Sequence, residues 1–69
     1  MEEIIVGTIN NDADVILRPR SKTLLTKWDV ICADPYQEQI IVQNASFRHA
    51  YDKARRYLDE HGGELKIFD

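Results

Sequence analysis

The sequence predicts an α+β domain in which a mainly antiparallel five-stranded sheet carries one amphipathic helix on one face, in the order β-β-β-β-α-β. Three observations lead there. Runs rich in β-branched residues at 3–9, 14–18 and 39–43 are separated by turn residues. Apolar residues from Phe47 to His61 recur at the spacing of one helix face. Gly62-Gly63 follows at once, and a last alternating stretch begins at Glu64. No internal repeat, low-complexity tract or linker divides the 69 residues, so a single domain over 1–69 is expected.

Ile4, Val6 and Thr8 alternate with Ile5, Gly7 and Ile9, which reads as a first strand over 3–9 buried at least partly on both faces. Asn10-Asn11-Asp12-Ala13 supplies side chains that tolerate left-handed backbone and bond to nearby amides, so a hairpin turn is expected there. The returning strand runs over 14–18 and ends at Pro19. Residues 18–23 contain no apolar side chain other than that proline, which cannot donate to a ladder, and the sheet should pause over them in its longest irregular stretch.

From Thr26 the alternation resumes, with Trp28, Val30 and Cys32 on one face and Lys27, Asp29 and Ile31 on the other. Trp28 is the expected core anchor. Asp34-Pro35-Tyr36-Gln37-Glu38 forms a turn in which proline presets φ, and 39–43 completes a second hairpin.

Ser46 immediately precedes the first periodic apolar residue and is the better cap of the helix, ahead of Asn44. At 100° per residue, Phe47, Ala50, Tyr51, Ala54, Tyr57, Leu58 and His61 fall on one arc of about 120°. The remaining positions from 48 to 60 are charged or His49 and form a solvated face. Arg48/Asp52, Asp52/Arg56, Arg55/Asp59 and Arg56/Glu60 stand four apart, each pair worth about 0.2–0.5 kcal/mol. Gly62-Gly63 ends the helix, and 64–68 adds a final strand to the sheet.

Composition narrows the function. A domain this small buries only about 60% of its extended-chain surface, so the core is thin and a second copy could add to it. One cysteine permits no internal disulfide and no structural zinc site of its own. The acids at Glu2 and Glu3 and the break at Gly7 do not resemble an export signal, and no apolar run is long enough for a membrane span. A cytoplasmic protein with no membrane partner is therefore expected. The net charge of −3 argues against a general nucleic-acid coat, but the charge is segregated. Residues 1–17 carry four acids and no base, whereas 18–27 carry four bases and no acid.

Trp28-Asp29-Val30, the hairpin, and Ser46-Phe47 through the helix to Gly62-Gly63-Glu64-Leu65-Lys66-Ile67 resemble small bacterial domains of unknown function built as strand, strand, helix, strand. The helix-Gly-Gly-strand ending is also similar to the small terminal linker domains of cyanobacterial phycobilisomes. The resemblance implies the fold and no functional residue.

Candidate chemistry is sparse. Cys32 beside Trp28 and Val30 on one strand face reads as a buried, inert thiol. His49 and Asp52 are helix neighbours but lack converging ligands, and the acid pairs Glu2/Glu3, Asp12/Asp14 and Asp59/Glu60 are explained by a terminus, a turn and a helix end. Gly62-Gly63 follows a helix and cannot cradle phosphate at a helix N-terminus. No cofactor, metal or catalytic residue is implied, and the chain reads as a non-enzyme.

The sharp feature is the basic segment, with Arg18, Arg20, Lys22 and Lys27 able to contact phosphates or an acidic partner. Its simplest role is a solvated loop offsetting the acidic N-terminal hairpin. The leading expectation is a protein-binding domain that acts through a sheet edge or face and self-associates, because Ile5, Ile9, Ile16, Ile31 and Ile41 exceed what one helix covers. The second is a nucleic-acid-associated regulator using residues 18–27.

Overall fold

Antiparallel pairing of the β-branched segments builds the sheet. In the computed structural model, which describes residues 2–66, β1 (Ile4–Ile9), β2 (Ala13–Pro19), β3 (Trp28–Ala33) and β4 (Glu38–Ala45) precede α1 (Phe47–Glu60) and β5 (Glu64–Leu65). The spatial order is β4-β3-β2-β1-β5, five strands with β5 antiparallel to β1. This is the expected α+β architecture in the expected order. The part of the last strand expected at Ile67 and Phe68 lies outside the described residues.

The turns form for the anticipated reasons. Asn10 and Asn11 both take positive φ (54° and 55°), and the Asp12 N–H donates to the Ile9 carbonyl at 3.0 Å. In the second hairpin the Asp34 carboxylate accepts from the N–H groups of Tyr36 (2.7 Å) and Gln37 (2.9 Å), closing an Asx turn around Pro35. Strand boundaries differ by up to a few residues: β2 starts at Ala13, β3 starts at Trp28 and not at Thr26, and β4 spans Glu38–Ala45 where 39–43 is expected. β2 continues through Arg18 and Pro19, which pair with Asp29 and Trp28, so the pause begins at Arg20. Pro19 is tolerated because the pairing with β1 ends at Leu17, while on the β3 side the next ladder bond is made by the Arg20 N–H to the Lys27 carbonyl.

α1 lays its apolar stripe over the sheet. Ala50, Ala54 and Leu58 are buried, and with Val6, Val15, Leu17, Trp28, Val30 and Ala45 they make the core. Tyr51 and Tyr57 pack partly buried against it. The Ser46 hydroxyl accepts from the His49 N–H at 3.3 Å, satisfying one of the donors that a helix start leaves without a partner. At the other end Gly62 has φ +68°, and the Gly63 N–H reaches the Leu58 carbonyl at 2.7 Å, the closure of a Schellman motif. The four-apart charges on α1 do not close: the ion pairs among the described residues are Arg18 with Glu3 and Glu38, and Arg20 with Asp29. Exposed long side chains gain little by holding one geometry.

Register assigns the isoleucines. Ile5, Ile16, Ile31 and Ile40 stand opposite one another across four strands on the face away from α1. Ile9 and Ile41 instead pack against the core. Ile41 does so because a bulge in β4 separates the pair Val30–Val42 from Ile31–Ile40, turning an extra residue inward.

Candidate functional site

The four cations of the basic segment divide into two kinds. Arg18 and Arg20 are held by carboxylates that lie far away in sequence. The Arg18 guanidinium meets Glu38 in a two-pronged contact of 3.0 Å on each arm, and its Nε donates to Glu3. The hydrogen bonds that Arg18 donates to Glu38 and Glu3 raise its pKa above the ordinary value, and the guanidinium in turn lowers the Glu38 carboxyl. Arg20 Nε donates to Asp29 at 2.9 Å, and the same carboxylate oxygen accepts the Asn44 N–H at 2.9 Å. Partial burial pushes Asp29 up, but the Asn44 N–H, the Arg20 hydrogen bond and the charges of both arginines outweigh it, leaving the carboxyl below its ordinary value.

Arg18 also has an apolar task. It faces Asp29 of β3 from β2, while Glu38 faces Ala33 of β3 from β4. A bridge between them crosses β3 midway, above Ile31. Ile31 is only 2% exposed although it lies on the face without the helix. Register therefore sets the arginine stem where it can cover Ile31 while its head is held by the two carboxylates.

Lys22 and Lys27 are exposed and make no ion pair among the described residues. They flank a loop that is hydrogen-bonded rather than loose. Arg20 N–H donates to the Lys27 carbonyl (2.9 Å), Ser21 N–H to Thr26 Oγ1 (2.8 Å), and Thr26 N–H to the Thr23 carbonyl (3.2 Å). The last of these turns presents Leu24 and Leu25 at 86% and 92% exposure.

Next to that loop is an open groove of about 600 Å³ lined by Glu2, Glu3, Ile4, Leu24, Trp28 and Phe47. Its aromatic wall is built from packed rings: Trp28 and Phe47 meet edge to face at 5.1 Å, and Phe47 stacks on Tyr51 at 6.3 Å. Phe47 keeps 44% of its surface exposed, although it begins the apolar stripe of α1. Sequence reasoning assigned no role to Leu24 or Leu25. The signal was present, since two adjacent leucines inside Ser-Lys-Thr-Leu-Leu-Thr-Lys fit neither a strand nor a helix period.

The other candidates stay apart. Cys32 is half-buried rather than fully buried as expected, because it lies near the end of β3, opposite Gln39. It neighbours Tyr57, whose phenol is pushed up first by burial and then by the thiol. His61 lies just past α1, its Nδ1 2.9 Å from the Tyr57 carbonyl oxygen and its ring stacked on Tyr57 at 4.0 Å. Among the described residues no three His, Cys, Asp or Glu side chains converge as a metal site requires, so His49 and Asp52 gain no further ligand. No helix of the described residues is long and apolar enough to cross a membrane.

Compared with protein families, curated proteins and solved structures, the chain matches none of them.

Proposed function

We propose that this chain is a protein-binding domain that works by presenting a surface and performs no chemistry of its own. The observation that carries this reading is the apolar groove beside the Leu24-Leu25 loop. A chain of 69 residues can scarcely spare apolar side chains from its core, yet it holds two leucines in water on a hydrogen-bonded loop beside an exposed phenylalanine. The reading places the domain in the cytoplasm, which a single free thiol suits. The ion-paired state of Arg18 and Arg20 favours a protein partner over nucleic acid, because both guanidinium groups are already committed to carboxylates and, among the described residues, only Lys22 and Lys27 of the four make no ion pair.

Affinity capture of the tagged protein from host lysate tests this, run with and without nuclease and with the double variant Leu24→Asp, Leu25→Asp. A protein retained in both nuclease arms and lost with the variant supports the reading. Cargo that disappears only on nuclease treatment, or retention that ignores the variant, overturns it.

A further inference from the structure

The groove and the loop beside it are complementary. The groove has an apolar floor at Ile4, Trp28 and Phe47 and a rim of acids at Glu2 and Glu3. The loop has an apolar tip at Leu25, with Lys22 and Lys27 exposed on either side of it. Of the rim acids, Glu3 is engaged by Arg18, whereas Glu2 makes no ion pair among the described residues. We infer that the occupant of the groove is the 20–27 loop of a second copy of this chain, so that two copies associate by placing Leu25 reciprocally in each other's grooves. This rests on the protein-binding reading and names its partner.

Adjacency sets the symmetry. Leu24 itself lines the groove, so donor loop and acceptor groove share an edge. A two-fold axis beside Leu24 carries each loop over the other copy's groove, and the contact closes as a pair instead of propagating as a chain. Each groove receives a leucine, and each Glu2 receives the unpaired lysines of the partner loop. The loop's internal hydrogen bonds mean that little ordering opposes the insertion.

The other surfaces that could pair are poorer. On the sheet face away from α1, Ile16 and Ile31 are already covered, leaving only Ile5 and Ile40 of its described isoleucines half-exposed. The free edge of β4 is broken by two register shifts and by Asn44 at φ 57°, which disrupt the row of backbone groups that an added strand needs. An interface made from one loop and one groove falls at the small end of specific interfaces and is concentration-dependent.

Sedimentation equilibrium of the purified full chain from about 10 μM to about 1 mM spans the range in which such an interface assembles. The expected result is a mass rising from one copy towards two and no further. Leu25→Asp acts twice in the dimer, so about a tenfold loss per groove compounds to roughly a hundredfold weaker association. Lys22→Glu with Lys27→Glu, and separately Glu2→Lys, should each weaken the pair, and mixing these two charge-swapped proteins should restore it as a mixed dimer. These positions are exposed, and unchanged circular dichroism and urea midpoints confirm that each variant folds. A wild type that stays monomeric throughout, a dimer indifferent to Leu25→Asp, or a charge-swapped mixture without rescue overturns the inference. A monomer that still captures a host protein through Leu24 and Leu25 overturns the dimer alone, whereas loss of that capture as well removes the binding reading too.

Discussion

Arg18 joins three parts of the chain, with Glu3 before β1, its own position in β2, and Glu38 in β4. Its two contributions can be separated. Arg18→Met keeps most of the stem over Ile31 and deletes the charge, whereas Arg18→Ala deletes both. Urea denaturation should rank the alanine variant below the methionine variant, by about 1 kcal/mol for the uncovered apolar area. Lys22→Ala and Lys27→Ala should stay within about 0.5 kcal/mol of wild type. The split between paired arginines and unpaired lysines was not legible in the sequence, because Glu3, Asp29 and Glu38 reach the arginines only through strand register.

At the same scale, Asp29 and Glu38 give the fold its acid limb. Both carboxyls lie below their ordinary values in the folded chain, so their contribution is complete above the unfolded values near pH 4 and is lost as pH falls through the lower folded ones. Tyr57 acts at the other extreme, since a raised phenol favours the neutral form and stability should decline as pH climbs above about 10. Thermal melts from pH 2 to 11 should therefore show a plateau with two falling limbs. In Asp29→Asn the acid limb should flatten. Gly7 marks a close approach: a Cβ there would strike the Glu64 carbonyl oxygen and stand 2.6 Å from Leu58 Cδ1. Since β5 would have to yield, Gly7→Ala should destabilise by about 1–3 kcal/mol in the same denaturation assay.

Among the elements, α1 is the one most fully determined by local sequence, and the Ser46 cap, buried stripe and glycine stop all follow from spacing. Ser46→Ala should cost about 0.5–2 kcal/mol, read as a lower urea midpoint with unchanged slope. The charges of α1 run against its dipole, with no acid in the first turn and no base in the last. Glu60→Lys should therefore raise stability by about 0.3–1 kcal/mol at low salt, and the gain should shrink as salt is added. The strands were legible as segments, but their ends were not. β2 extends to Pro19 and β4 from Glu38 to Ala45, because pairing with β3 recruits residues whose own propensity is indifferent.

For the whole molecule, stability is graded across the sheet. β2 and β3 are paired along their length on both sides, β1 is paired fully with β2 and briefly with β5, β4 is paired on one side, and among the described residues β5 is held to β1 by the pairs at Glu64 and Leu65 and by the Lys66 N–H on the Val6 carbonyl. Amide hydrogen exchange should accordingly be slowest in β2 and β3 and fastest at β5 and the 20–27 loop.

The order of elements, the buried stripe of α1 and the chemistry of each turn depend on residues close together in the chain, and the sequence by itself determined them. The faces of the isoleucines, the carboxylates that hold Arg18 and Arg20, and the meeting of Leu24 with Trp28 and Phe47 were decided only by tertiary structure. The physical reason is register: a bulge at Val6 in β1 and others in β4 shift which residues face one another, and in a strand a shift of one residue moves a side chain to the opposite face.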